Sequence, residues 1–298
     1  MLLPDPTIDE TEVASLVDRE FGLGRAAVEF VPVGGDSWCY RAGPWWISVR
    51  RDRRGHHAAA YEAMRAFADN GCRLFLAPSR GRSGRVVHRV GSRPAVVFPY
   101  LELRAPADEP SAVSRAVDAL HGLTVPPLIS ARLPCEQYNL FYVDELEGAL
   151  ARAQTGASDA GPFAARTVEL LLANAKVIAV LRAEMDECRA VCVGLGDDGF
   201  VLTHGEPDGA VVVTADGREL LGDGGEIAFG PPERDGARLR MLGLDPPGRE
   251  PVFRFFELLW ILGEIAEYAA RFTLPHPGNA EDEEKWPELL WYLEESPS

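Results

Sequence analysis

The chain has 298 residues, of which 46% are hydrophobic and 26% charged, and its formal net charge is −16. This length and composition predict a globular protein with two lobes or two small domains, without an apolar run of transmembrane length. The acidic balance, interrupted by a single basic run at residues 50–54, excludes an extended nucleic-acid-binding surface.

Two further features of the sequence concern the cellular compartment. The acidic, proline-broken start lacks the basic-then-apolar layout of a secretory signal, so we expect a cytoplasmic protein that does not contact a membrane. The five cysteines are scattered and odd in number, which argues against a disulfide framework. Cys188 and Cys192 could share a helix face, but no other cysteine or histidine lies close in sequence, so we interpret these two as small buried hydrophobic residues rather than a metal site.

The first hundred residues predict a small antiparallel sheet accompanied by two helices. Apolar residues at helical spacing, or alternating with polar ones, define each element. In chain order we predict a helix over 8–20, strands over 27–33, 38–42 and 44–50, a helix over 56–71, and a hairpin over 85–103. His56 and His57 are interpreted as exposed residues at the start of the second helix.

The remainder of the chain is predicted to be mainly helical. The segment 106–110 (PADEP) marks a boundary between a lobe of residues 1–103 and a lobe of residues 104–298. Amphipathic or apolar-striped segments predict helices over 111–124, 135–154, 163–189, 253–272 and 281–293.

Residues 198–235 interrupt the helical pattern and carry the candidate chemistry. They predict a strand into His204, a hairpin around residues 215–217, a strand that ends at Asp223, and a closing loop over 231–235. Acidic residues at the ends of paired strands lie where a phosphoryl-transfer site needs them.

This stretch resembles the catalytic and metal-binding segments of the aminoglycoside phosphotransferase family, relatives of choline kinases and protein kinases. The family's His-Gly-Asp-x-x-x-x-Asn segment matches His204, Gly205, Glu206 and Val211, and its Asp-x-Asp segment matches Asp223, Gly224 and Gly225. The resemblance implies an α+β, bilobal, protein-kinase-like fold. Its small amino-terminal lobe would hold a five-stranded antiparallel sheet, and its carboxy-terminal lobe would be mainly helical.

The resemblance also implies roles for individual residues. Glu206 stands at the catalytic-base position, His204 supports its loop, Asp208 is a candidate replacement ligand, and Asp223 keeps the principal metal position. Residues that would contact the nucleotide are Gly34, Gly35 and Ser37 in the first turn, Ser48 and Arg50 on the third strand, Glu62 on the following helix, and Tyr100 and Leu101 in the hinge.

Three positions depart from the family pattern where the chemistry is done. Ser48 replaces the phosphate-binding lysine, Val211 replaces the metal-binding asparagine, and Gly225 replaces the second acid of Asp-x-Asp. Valine has no lone pair for a hard cation. Because one positioned electrostatic group is commonly worth about 10²–10³ in rate, efficient ATP turnover is not expected.

These departures favour a pseudokinase that binds a small molecule, a peptide or a partner modification enzyme in a bacterial natural-product or modification pathway, without a cofactor. The alternative is an active O-phosphotransferase that uses ATP and Mg²⁺ on an aminoglycoside-like alcohol or a peptide Ser/Thr hydroxyl. In that alternative Arg50 or Arg51 replaces the lysine and Asp208 replaces the asparagine. A third hypothesis is non-phosphoryl chemistry with Glu206 as the acid or base.

Overall fold

The computed structural model describes residues 3–5, 7–24, 27–35, 37–51, 56–103, 109–156 and 159–295. In chain order its elements are α1 (Glu10–Phe21), β1 (Glu29–Val31), β2 (Ser37–Ala42), β3 (Trp45–Arg50), α2 (Ala58–Asp69), β4 (Val87–Val90), β5 (Arg93–Pro99), α3 (Pro110–His121), α4 (Pro127–Ser130), α5 (Val143–Gln154), α6 (Ala164–Leu195), β6 (Val201–Thr203), β7 (Val211–Val213), β8 (Glu219–Leu221), β9 (Ala228–Gly230), α7 (Glu233–Met241), α8 (Glu250–Thr273) and α9 (Ala280–Leu290).

Two compact units divide the chain. Leu2–Glu136 and Gly199–Pro246 form the first, which we call the sheet unit. Gln137–Asp198 and Pro247–Ser298 form the second, the helical unit. The predicted lobe boundary between residues 103 and 104 stays a prediction.

A five-stranded antiparallel sheet in the order β1-β2-β3-β5-β4 confirms the predicted sheet of the amino-terminal region. Successive side chains along each strand point to opposite faces of the sheet. On one face Tyr40, Ile47 and Val49 are almost fully buried and pack with the apolar stripe of α1. Helix α1 begins after Asp9, whose side chain accepts a hydrogen bond from the Thr11 N–H at 2.8 Å.

Two short strand pairs complete the sheet unit. Strand β6 pairs with β9, and β7 pairs with β8 in the hairpin predicted around residues 215–217. The prediction of a loop over 231–235 was wrong, because Pro232 is the N-cap of α7 and the helix begins at Glu233. Proline is well suited to such a position, since its fixed φ matches the first turn of a helix.

The helical unit consists of α5, α6, α8 and α9, with α8 packed against the other three. The predicted helix over 135–154 was wrong in its first part, since α5 begins at Val143. The Glu136 N–H instead donates to the Phe229 carbonyl at 2.7 Å, and Tyr138 has a left-handed φ of 54°. Both features are incompatible with a continuous helix from residue 135. No helix of the described residues could cross a membrane.

One buried acid near the end of α1 predicts how the sheet unit responds to acid. Glu20 accepts a hydrogen bond from the Ser83 N–H at 3.0 Å and one from Arg19 at 3.3 Å. The bonds to Ser83, foremost, lower the pKa of Glu20 from 4.5 to about 2. Because the folded-state pKa is the lower one, Glu20 stabilises the fold above its unfolded pKa, and this contribution is lost as the pH falls through about 2.

Replacing Glu20 by glutamine should therefore lower the free energy of unfolding by about 1 kcal/mol at neutral pH. The difference from the wild type should shrink as the pH falls from 4.5 toward about 2. Urea unfolding at a series of pH values measures it. A difference that stays constant over that range would contradict the role assigned to this carboxylate.

Candidate functional site

The sheet unit contains a cleft of about 710 Å³. Because strand side chains alternate, Trp46, Ser48 and Arg50 on β3 face this cleft while Ile47 and Val49 enter the core. The predicted nucleotide-contacting residues that line the cleft are Gly34, Gly35, Ser37, Ser48, Arg50, Tyr100 and Leu101. The structure thus brings together all of that predicted set except Glu62.

The cleft changes in character along β3. Trp46 lies opposite Phe98 of β5, and Tyr100 and Leu101 follow on the same wall, so this part is aromatic and apolar. Four residues further along β3, about 13 Å away at 3.3 Å per residue, lies Arg50. Such a cleft can accept a planar ring at one end and a charged group at the other.

Arg50 and Asp223 form an ion pair at the polar end of the cleft. The Arg50 side chain is 6% exposed, the Asp223 side chain is 58% exposed, and Nη1 of Arg50 lies 3.4 Å from Oδ1 of Asp223. Arg51, in contrast, donates to the Gly35 carbonyl at 3.1 Å and lies over the Trp38 ring. Of the two arginines predicted as substitutes for lysine, Arg50 is the one that lines the cleft.

The backbone at Asp223 is itself unusual. Its φ of 37° and ψ of 39° place it in the left-handed region, between the end of β8 and a 3-10 turn over Gly224–Glu226. Few residues other than glycine adopt this conformation, and aspartate and asparagine are the most common of them. The conformation directs the chain sharply after β8 and leaves the Asp223 carboxylate exposed to solvent.

Asp235 anchors the loop that carries Glu206. It is fully buried and accepts hydrogen bonds from the backbone N–H groups of His204 and Gly205, the latter at 2.7 Å. Its other partner is Nε2 of His121, at 2.9 Å. Burial acts to raise the pKa of Asp235, but the hydrogen bond and charge of His121, the charge of Arg234 and the Gly205 N–H outweigh it and lower that pKa. Asp235 is therefore ionised at neutral pH.

His204 connects the same loop to the end of β8. Its Nε2 donates to the Gly222 carbonyl at 2.8 Å, and its Nδ1 accepts from the Glu206 N–H at 3.3 Å. Since a carbonyl can only accept, Nε2 carries the proton in this arrangement. These two hydrogen bonds join the loop to the end of β8, and the supporting role of His204 stays a prediction.

Glu206 and Asp223 meet at a second, smaller cavity of about 10 Å³. Arg50, His56 and His204 also line it. A predicted catalytic residue and the predicted metal residue are therefore neighbours, although they are 17 positions apart in the sequence.

Two other predicted residues are held in ion pairs outside the cleft lining. Glu62 pairs with Arg80 at 3.0 Å, and Asp208 is bound through both carboxylate oxygens by Arg238, with the Nε–Oδ1 distance at 2.7 Å. The role of Asp208 as a replacement metal ligand stays a prediction, and it would require that this ion pair open.

His56 was missed as a site residue. Its expected exposure was wrong, because its ring is half-buried, stacks on Tyr61 and lies with Nδ1 2.7 Å from the Tyr61 hydroxyl. Burial, together with the positive charges of Arg50 and His57, lowers the pKa of His56 to about 3, so it is neutral at physiological pH. A Cβ atom on Gly225 would lie 2.6 Å from both Nδ1 of His56 and the Tyr61 hydroxyl, so the place of the family's second acid is filled.

The residues present disfavour a Mg²⁺ ion, because the carboxylate at the predicted metal position, Asp223, is paired with Arg50, whose like charge opposes a cation beside it. Val211 is 3% exposed and belongs to the apolar core. In the described part of the chain, no three His, Cys, Asp or Glu side chains lie together so that they could hold a metal. The planar base and charged phosphates of a nucleotide match the aromatic and the polar end of the cleft in chemical character.

The fold is an aminoglycoside phosphotransferase-like kinase fold. The spectinomycin phosphotransferase in complex with ADP and spectinomycin matches it with a TM-score of 0.72 and 14% identity, covering 99% of this chain and 96% of that one. The GDP complex of aminoglycoside 2'-phosphotransferase-IIIa matches with a TM-score of 0.53 and 14% identity, over 96% and 98% of the two chains.

A relative with higher sequence identity establishes the family of this chain. Protein StrN of Streptomyces griseus is 37% identical over 311 residues, which span 99% of this chain and 97% of that protein. The chain belongs to the same family as Protein StrN. No family model matches it.

Proposed function

We propose that the protein is a phosphotransferase-like pseudokinase that binds a ligand in the cleft and does not transfer phosphate. The observation that carries this proposal is the ion pair between Arg50 and Asp223, because a guanidinium lies against the one metal-type carboxylate that the sequence keeps. The burial of Val211 and the filling of the space beside Gly225 support it.

The wider role we propose is that of a binding or scaffold component in a bacterial natural-product or modification pathway. The relation to Protein StrN of Streptomyces griseus and the fold shared with a spectinomycin phosphotransferase support this setting. The ligand classes that we propose are a small molecule, a peptide and a partner modification enzyme.

The second candidate is an active O-phosphotransferase that uses ATP and Mg²⁺. One observation favours it: Glu206 and Asp223 line the same small cavity, and the loop of Glu206 is fixed by the buried Asp235. In this candidate Glu206 would accept the proton of the acceptor hydroxyl, and Arg50 would stand in for the missing lysine.

Transfer of the γ-phosphate from Mg-ATP to aminoglycoside and Ser/Thr-peptide acceptors separates the two candidates. We expect the wild type, Glu206→Gln and Asp223→Asn to give the same background rate, because none of them completes a metal site. The matched control is Asp216→Asn, which alters an exposed carboxylate that pairs with Arg218. Turnover by the wild type that falls about 10²–10³-fold in both site variants, but not in the control, would establish the active enzyme instead.

A further inference from the structure

Ser37 and Arg50 form a polar pair at one end of the cleft. They lie directly opposite each other in the β2–β3 register, and both side chains line the cleft. Ser37 is 6% exposed, and its Oγ makes no hydrogen bond among the residues that the structure describes. Buried hydroxyls nearly always have a partner, so this atom points to a ligand that completes it.

Arg50 supplies the charge of this pair. Among the described residues that line the cleft, it is the only cation, and Asp223 is the only anion. The guanidinium is buried and permanently charged, whereas its carboxylate partner is largely in solvent. Because a guanidinium has five N–H donors in a planar fork, it can bind Asp223 and a phosphate oxygen at the same time.

The surroundings fit the same ligand. Gly34 and Gly35 precede β2 and also line the cleft, and Gly34 has a left-handed φ of 84°. Glycines let a backbone approach a ligand closely. At the other end Trp46 and Phe98 offer ring faces to a planar group.

We propose that Arg50 takes the place of the divalent cation, so that a nucleoside phosphate binds in this cleft without Mg²⁺. The base would lie against Trp46, and a phosphate would accept hydrogen bonds from Ser37 and Arg50. This inference deepens the proposed function and rests on it, since it names the ligand class of the same cleft. A Mg²⁺ ion that approached Asp223 would meet the like charge of Arg50.

Calorimetric titration tests whether nucleotide binding requires Mg²⁺. ATP, ADP and adenosine are each titrated in a buffer with Mg²⁺ and in one with EDTA. We expect the dissociation constants of ATP and ADP to agree within about threefold between the two buffers, a difference below 1 kcal/mol. Binding of ATP that is lost in EDTA would overturn the inference. The absence of nucleotide binding in both buffers would overturn it as well.

Substitution of Arg50 and of Ser37 tests whether these two residues bind the phosphate. Arg50→Met should weaken ATP and ADP binding by about tenfold to a hundredfold and leave adenosine binding nearly unchanged, since a hydrogen bond to a charged group is lost. Adenosine binding also reports that the variant is folded. Ser37→Ala removes only a hydroxyl, and should weaken ATP binding by about three- to tenfold. If Arg50→Met does not fold, Ser37→Ala still tests whether the phosphate binds at this end of the cleft.

The matched control is Arg115→Met, which removes the same charge from a pair with Glu219 on the exposed surface. It should bind ATP as the wild type does, and wild-type affinity in Arg50→Met and Ser37→Ala alike would overturn the inference. The transfer assay above judges the proposed function separately. Transfer of phosphate by the wild type would reject the pseudokinase, whereas silent transfer with metal-dependent ATP binding would reject only the role of Arg50.

Discussion

Replacing Asp235 by alanine is expected to lower the free energy of unfolding by about 3–5 kcal/mol, the range seen when one partner of a buried charged pair is removed. Asp235 is fully buried and is the hydrogen-bond acceptor for three groups, which are the N–H groups of His204 and Gly205 and the Nε2 of His121. Alanine would leave all three donors inside the protein without that acceptor. Each such loss adds a desolvation penalty of about 1–3 kcal/mol.

A loss of this size is a large share of the stability of an ordinary domain, about 5–15 kcal/mol. Asp235→Asn should fall between the wild type and alanine. With its carbonyl oxygen in the place of Oδ1 it can still accept from the N–H groups of His204 and Gly205, but its amide group cannot accept from Nε2 of His121. Urea unfolding monitored by tryptophan fluorescence gives the three values.

The control for this prediction is Asp118→Ala on the exposed side of α3. Substitutions of this kind usually change stability by less than about 0.5 kcal/mol. If Asp235→Ala proved no more destabilising than Asp118→Ala, the anchoring of the loop by Asp235 would be refuted. If the variant folded but its Glu206 loop exchanged amide hydrogens faster, the anchor would be local rather than global.

The elements that were predicted well are those in which neighbouring residues decide the structure. The local pattern predicted strands over 38–42 and 44–50, and the period of two along a strand explains why Ser48 and Arg50 share a face of β3. The kinase-like fold was predicted from the resemblance of residues 198–235 together with this sheet, and the solved structures confirm it.

The features that were missed depend on partners distant in sequence. Asp208 is bound by Arg238, 30 residues later, and Glu136 pairs with Phe229 rather than continuing a helix. No local pattern predicts such contacts, because they form only when remote segments pack together. The same holds for His56, whose burial against Tyr61 and near Gly225 depends on the 3-10 turn that follows β8.

The position of the family's metal-binding asparagine is occupied by Val211, and returning an asparagine to it is expected to destabilise the fold. Val211 on β7 lies opposite Leu221 on β8, and both belong to the apolar core. Val211→Asn would bury an amide without a partner and remove a buried isopropyl group. We expect a loss of about 2–4 kcal/mol in the free energy of unfolding.

Val212→Asn is the matched control for the substitution of Val211. Val212 is the next residue of the same strand, but it is half-buried and faces the cleft. Val212→Asn should therefore lower the free energy of unfolding by less than about 1 kcal/mol. Mg²⁺ should not raise the stability of Val211→Asn, because only a ligand that binds the folded state can do so, by RT ln(1 + [L]/Kd). If Mg²⁺ did restore the stability of Val211→Asn, an asparagine at this position could still bind a metal ion. The active phosphotransferase would then become the better interpretation.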